Sequence, residues 1–317
     1  MRRPITIIGA PTSIGIRPYD DGTPRGLDRA PAAFRRRGLV ERVGARDAGD
    51  IVAPPYRDFE RPPGRPRNEA DVEAYSRALA MRVESVVAER RFVLVLGGDC
   101  SVVLGGVLGA RRAVGGPVGL AYVDGHADFA TPAESRTGSV ASMCLGLAVG
   151  RGDTTLSRLI GAGPLVESRD VALIGRRDVH QPWYGHDALA ASSVLDIPTA
   201  AMREAGLPET GRLAAARVGR ADLAGFWIHV DADVLDPAVL PAVDSPEPGG
   251  PGLEELAELL APLVGHPGAL GMELTIYDPL LDSGEVCAER LVALLEGLLK
   301  RHVVAGRVAS GGTAESS

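Results

Sequence analysis

Lysine is almost missing from this chain: Lys300 is the only one among 34 basic residues, and the others are arginine. With alanine and glycine so frequent, this is a bias of composition and not a binding device. Positive charge is not in excess either. The chain carries 41 acidic residues, a net charge of −7 and a pI near 5.5, which argues against a grip on nucleic acid as its main task. Cysteine is scarce, with Cys100, Cys144 and Cys287 too scattered for a disulfide framework. No window approaches the ~18 apolar residues of a membrane span. The opening run MRRPITIIGAP meets Pro11 too early for a signal-peptide core. There is no G-x-G-x-x-G fingerprint, only the pairs Gly97-Gly98 and Gly105-Gly106 of the kind used by turns and helices, which argues against a nucleotide enzyme. Internal repeats and convincing linkers are also lacking. These absences describe a soluble, cytoplasmic protein without a nucleic-acid or membrane partner.

What is present is a 317-residue chain with 45% hydrophobic residues, enough to bury a large core. Continuous Val/Ile/Leu-rich runs predict strands at Ile5–Gly9, Phe92–Leu96, Val118–Val123, Val171–Ile174, Phe226–Val230 and Leu270–Leu274. Runs without alternation are those of strands buried on both faces. Helical spacing falls between them: Val72–Arg91, with Asn68 as its N-cap, then Leu253–Leu263 and Val286–Val303. Alternating strands and helices predict an α/β fold with a mostly parallel sheet. The Pro- and Arg-rich stretch Pro54–Arg67 reads as a surface loop. Residues 1–308 read as a single domain and 309–317 as a disordered tail.

In such sheets ligands sit beyond the carboxyl ends of the strands. Three strand ends carry chemistry there: Gly97-Gly98-Asp99-Cys100-Ser101, Asp124-Gly125-His126-Ala127-Asp128, and Asp231-Ala232-Asp233-Val234-Leu235-Asp236-Pro237. Spacing by two puts Asp124, His126 and Asp128 on one side of an extended chain, and Asp231 with Asp233 likewise. Four converging carboxylates repel one another by several kcal/mol per close pair in a partly buried site, at about the magnitudes of a low-dielectric interior. Divalent cations relieve that repulsion, and carboxylates with one imidazole suit Mn²⁺ or a similar ion. Two ions sharing carboxylates fit about four acidic groups better than one. Asp99 and Asp236 read as turn formers or supports for the ligands.

Taken together, the three motifs resemble those of the ureohydrolase superfamily, which includes arginases, agmatinases and formiminoglutamases. The likeness extends through Pro241, Ser245–Gly250 and Gly271–Pro279. The resemblance implies a three-layer α/β/α sandwich and two divalent metal ions, most simply Mn²⁺. It implies that Asp124 and Asp231 bridge the ions, that Asp128 and Cys100 belong to the first, and that His126 and Asp233 complete the second. It further implies that Asp128 is catalytic, holding the hydroxide that attacks a guanidinium or amidine carbon, and that the protein is a trimer or hexamer acting on a small molecule.

Four positions depart from the arginase pattern. Cys100 stands where a histidine ligand is usual, and a thiolate there would favour Zn, Fe or Co. Ala141 stands where arginases carry a proton-shuttling histidine; His180 and His186 lie on another loop and read as surface residues. Ala130 replaces an asparagine that holds the substrate's α-carboxylate, with Phe129 making that rim more apolar. Ile276 occupies the place of a glutamate that pairs with the guanidinium. Glu273, three residues earlier, points by strand parity to the other face and reads as a supporting carboxylate. Thr137, Ser139, Asp244, Glu247 and Glu273 remain the residues for reading the substrate. The expected activity is hydrolysis of a C–N bond in a guanidino, hydroxyguanidino, amidino or formimidoyl compound other than plain L-arginine. The alternatives are a non-catalytic metal- or ligand-binding relative and a metal-dependent amine deacylase.

Overall fold

The computed structural model describes residues 3–58, 61–181 and 185–304. The expected tail, 309–317, lies outside them. Among the described residues, eight strands form one sheet: β1 (Ile5–Gly9), β2 (Arg46–Asp50), β3 (Phe92–Leu96), β4 (Gly119–Val123), β5 (Val171–Ile174), β6 (Leu195–Ile197), β7 (Phe226–Asp231) and β8 (Ala269–Thr275). Their order is β2-β1-β3-β8-β7-β4-β5-β6, and each neighbouring pair runs parallel. The expected strands thus appear within a residue of their predicted ends.

Two strands escaped the sequence reading, and both lie at the sheet's edges. β2 reads RDAGD and is largely exposed, while β6 is only three residues long. Neither has the apolar run that marks a strand buried on both faces.

Helices cover both faces. Alternate residues of β7 point to opposite sides, as a strand requires. The Phe226 ring lies 5.3 Å from His266, next to the helix Leu253–Gly265, whereas the Trp227 indole lies under Gly106 of the helix Val102–Val114. That second helix packs on Glu69–Ala88, and the first lies between Leu207–Val218 and Val286–Val304. The result is the three-layer sandwich. Asn68 does precede the helix Glu69–Ala88, in a left-handed conformation with φ of 50°. Its side chain caps nothing in that helix and instead donates from Nδ2 to the Ile14 carbonyl at 3.3 Å.

The strand order decides where the chemistry gathers. It sets β3, β8, β7 and β4 side by side in the middle of the sheet. The three acidic motifs, far apart along the chain, therefore end at one edge. The packing around β8 leaves no room for a side chain at Gly271. A Cβ at that position would lie 2.5 Å from Trp227 Cζ3 and 2.7 Å from the Val93 carbonyl oxygen. Gly271→Ala is therefore expected to lower stability by about 1–3 kcal/mol through overpacking, read as a lower urea midpoint; an unchanged midpoint would contradict this packing.

Candidate metal centre

Each acidic motif leaves a central strand and turns at once, so its polar side chains stay at the sheet's end with almost no access to solvent. Cys100, Asp124, His126, Asp128, Asp231 and Asp233 are all buried. Local hydrogen bonds set their orientation. The His126 backbone N–H donates to Asp124 Oδ1 at 2.7 Å, and the Asp233 N–H donates to Asp231 Oδ1 at 2.8 Å. Gly125 N–H reaches Asp233 Oδ1 at 3.1 Å and ties the second motif to the third.

Two sets of donor atoms result. Cys100, Asp124, His229 and Asp231 form one, and Asp124, His126 and Asp233 the other; within each set the donor atoms lie within 4.8 Å of one another. Asp124 belongs to both. The Cys100 thiol donates to Asp231 Oδ2 at 2.7 Å, and His126 Nδ1 lies 3.0 Å from Asp233 Oδ2. Asp124 Oδ2 is buried without a hydrogen-bond partner. Asp124 thus turns Oδ1 toward His126 Nδ1, at 3.6 Å, and the unpartnered Oδ2 toward His229 Nε2, at 3.9 Å, so the residues fit a pair of divalent ions.

The electrostatics agree. Among the described residues, no arginine or lysine forms an ion pair with these four aspartates. Arg177 donates instead to the backbone carbonyls of Asp233, Val234 and Glu247. Burial, then the charge of Asp233, pushes the Asp124 carboxyl up to about 6. Burial also drives Asp128 and Asp231 well above the usual carboxylate range, with neighbouring aspartates adding to it. The Cys100 thiol is raised well above its ordinary value by burial and by Asp231. Burial would raise Asp233 too, but the charge and hydrogen bond of His126 outweigh it and hold Asp233 low. His126 is correspondingly raised by Asp233 and Asp124 against the effect of its burial.

A cavity of about 230 Å³ opens above this cluster. Its floor is Cys100, His126, Asp128, Asp231 and Asp233. One wall is the loop with Thr137, Ser139, Ala141 and Ser142; the other holds Arg17, Arg25, Asp244 and Ser245, with Ile16 and Ile276 as apolar lining. The Pro- and Arg-rich stretch braces the first wall. Arg61 donates to the carbonyls of Pro132 and Ser135, and Arg67 Nε donates to the Thr137 carbonyl at 2.9 Å.

Asp231 stands in the first donor set and Asp124 in both. Asp128 lines the cavity, and its Oδ2 accepts from the Tyr122 hydroxyl at 2.8 Å. Several other expectations need correction. Glu247 does not line the cavity and accepts from Gln181 Nε2 at 2.7 Å, because its loop turns toward residue 181. Glu273 cannot meet a substrate: it is fully buried in β8, with Oε1 2.8 Å from His229 Nδ1. Asp244 does line the cavity, but it is paired with Arg25. Phe129 is buried under the Arg151 guanidinium, 4.6 Å from its ring centre, and is not part of the cavity rim. His186 is only half-buried and lies 3.4 Å from Asp178, whereas His180 is exposed as expected. Of the residues expected to read the substrate, Thr137, Ser139 and Asp244 line the cavity.

Two residues of the site went unnoticed in the sequence. His229 was passed over because it lies inside a strand and not after one, although its spacing of two from Asp231 puts both on one face. Asp178, four residues beyond β5, accepts the Ala127 N–H at 2.8 Å and holds the second motif in place. Asp99 and Asp236 are supports, as expected. Asp99 accepts from the Gly15 and Ser101 N–H groups, and Asp236 from those of Ala238 and Gly249.

Comparison with known proteins agrees with this geometry. The model of the family described as "Arginase family" matches residues 3–299. The arginase of Bacillus caldovelox is 30% identical over 309 residues, covering 93% of this chain and 98% of its own. The crystal structure of the Bacillus cereus arginase superposes with a TM-score of 0.81 at 28% identity, covering 94% of this chain and 98% of that one. Proclavaminate amidino hydrolase from Streptomyces clavuligerus shares the fold, with a TM-score of 0.66 at 21% identity over 95% of this chain and 93% of its own. With its parallel sheet, its two carboxylate-rich donor sets and a match along nearly its whole length, the chain belongs to the arginase family, metal-dependent hydrolases that act on C–N bonds.

Proposed function

We propose that the chain is a binuclear-metal hydrolase that cleaves a C–N bond in a guanidino, hydroxyguanidino, amidino or formimidoyl compound other than plain L-arginine. The carrying observation is Asp124, common to two buried donor sets from which Cys100, Asp231, His126 and Asp233 line one cavity. In this reading Cys100, Asp124 and Asp231 hold one ion, and Asp124, His126 and Asp233 hold the other. The oxygen-rich second set suits Mn²⁺, whereas the thiol of the first favours Zn, Fe or Co. When bound, such ions acidify a water into a nucleophile and polarise the substrate. Residues 1–308 act as one domain, in a trimer or hexamer by family analogy.

The chain's own residues supply proton transfer and selection. Tyr122 occupies one oxygen of Asp128 and so leaves the other for the reacting water. A buried carboxyl raised by its surroundings is suited to take a proton there and return it to the departing amine. The C–N bond breaks as the new C–O bond is kept, and the amine leaves with that proton. Selection rests on the walls. Ile276 holds a left-handed conformation, φ 66°, which is unusual for a β-branched residue, and it lines the cavity where arginases place a glutamate. Arg25 is paired with the one acid of the wall, Asp244. A fully charged guanidinium therefore meets no free carboxylate there, while a less basic head group loses less.

Supplied with Mn²⁺, the protein is expected to release urea, hydroxyurea, formamide or ammonia from at least one such compound faster than from L-arginine; no product from any of them would contradict the reading. Ile276→Glu is expected to raise kcat/KM for L-arginine or agmatine by about 10–100-fold, the worth of one charge-assisted hydrogen bond. An unchanged value in a folded, metal-loaded variant would show that this wall does not select.

Stability should also report the crowded acids. A carboxyl whose folded pKa is raised binds its proton more tightly when folded, so its contribution is full below the unfolded value and is lost as pH rises through the folded one. For Asp124 that window runs from 3.8 to about 6, and Asp128 and Asp231 shift in the same direction. Asp233, held low, acts in the opposite sense but below 3.8. Chelator-treated protein is therefore expected to lose stability between pH 4 and 6 relative to Mn²⁺-loaded protein, by at most about 1.4 kcal/mol per pH unit for each carboxyl. A melting-temperature difference that stays constant with pH would contradict this.

A further inference from the structure

We propose that His229 is a ligand of the first ion, so that its imidazole takes the coordination place that the family gives to a histidine at position 100. The proposal rests on the binuclear reading above.

His229 sits in the middle of the sheet with no exposed surface. Its spacing of two from Asp231 turns both side chains to the same face of β7. Two contacts hold the ring. It stacks on Tyr122, with ring centres 4.2 Å apart, and its Nδ1 lies 2.8 Å from Oε1 of Glu273, its register partner on β8. A carboxylate there accepts, so Nδ1 carries the hydrogen and Nε2 presents a lone pair. This is the carboxylate–imidazole arrangement found behind metal-bound histidines.

The lone pair is aimed at a second orphan. His229 Nε2 and Asp124 Oδ2 are both buried without a hydrogen-bond partner, and they lie 3.9 Å apart. That is beyond hydrogen-bond reach. Two coordination bonds of about 2.1 Å each, meeting at an angle, separate their donors by roughly 3–4 Å. The spacing thus fits a cation held by both atoms. Cys100 Sγ and Asp231 complete a set of one nitrogen, one sulfur and two carboxylates. The change at position 100 removes an imidazole from the loop after β3, and β7 supplies one from below. Each ion then has one imidazole, His229 for the first and His126 for the second. Glu273 is a positioning residue, acting through His229. The mixed N/S/O set makes the first site softer than the second and directs Zn²⁺, Fe²⁺ or Co²⁺ to it.

The test uses the full chain, stripped by chelator and titrated with CoCl₂, with bound metal measured by elemental analysis and thiolate-to-Co²⁺ charge transfer by absorption. The wild type is expected to bind two Co²⁺ per chain, one of them bearing the charge-transfer band. His229→Asn is expected to bind one and to lose the band; two Co²⁺ with a wild-type band would overturn the proposal. Glu273→Gln, checked for folding by circular dichroism, is expected to weaken the band-bearing ion 10–100-fold and to leave the other unchanged. If His229→Asn does not fold, an unchanged affinity in Glu273→Gln overturns the proposal by itself. A wild type that binds no Co²⁺ overturns the binuclear reading and this inference with it, whereas failure confined to the variants overturns only the inference.

Discussion

Four aspartates crowd one end of a buried sheet, none of them ion-paired to an arginine or lysine among the described residues, and the rest of the molecule can be understood from how that crowding is tolerated. In a low-dielectric setting each carboxylate raises the proton affinity of the next. Such a cluster persists only if protons or cations neutralise it. Here the arginines that lie close are engaged elsewhere: Arg177 holds backbone carbonyls, and Arg25 pairs with Asp244 in the cavity wall. Histidines are the bases that reach the aspartates, one for each donor set. The fold keeps the acids together and leaves their charge to be met by divalent ions, which is how a hydrolytic nucleophile can arise near neutral pH.

Around this cluster, backbone hydrogen bonds hold the turns that carry the ligands, and two walls frame the cavity above them. Asp99, Asp178 and Asp236 accept backbone N–H groups and fix the three turns. The wall with Thr137 and Ser139 is strapped by Arg61 and Arg67 from a stretch that otherwise looks like featureless loop. Ile276 and Ala141, two of the departures from the arginase pattern, line the cavity beside the Arg25–Asp244 pair. A fold shared with arginases and with an amidino hydrolase does not by itself set the substrate.

Much of this was legible in the sequence. The buried strands stand out because runs such as FVLVL and VALI are apolar throughout, and spacing by two after β4 and β7 marks the acids that converge. The order of strands that brings them together is not written in any local pattern; it follows from packing across the whole sheet. β2 and β6 were invisible because an edge strand need not be apolar. His229 was missed for a related reason: inside a strand, a histidine next to Val230 reads as core, and only its partner Glu273, over forty residues away, shows that its ring is held for a purpose. Glu247 was placed at the cavity because it is near Asp244 in sequence, but one turn is enough to send it to Gln181.

The central claim, that a pair of cations stabilises the crowded acids through one common carboxylate, is tested most directly by crystals grown with Mn²⁺ and measured at its absorption edge. The account predicts two anomalous peaks per chain with Asp124 bonded to both. A single peak, or two peaks of which Asp124 touches only one or neither, would contradict it.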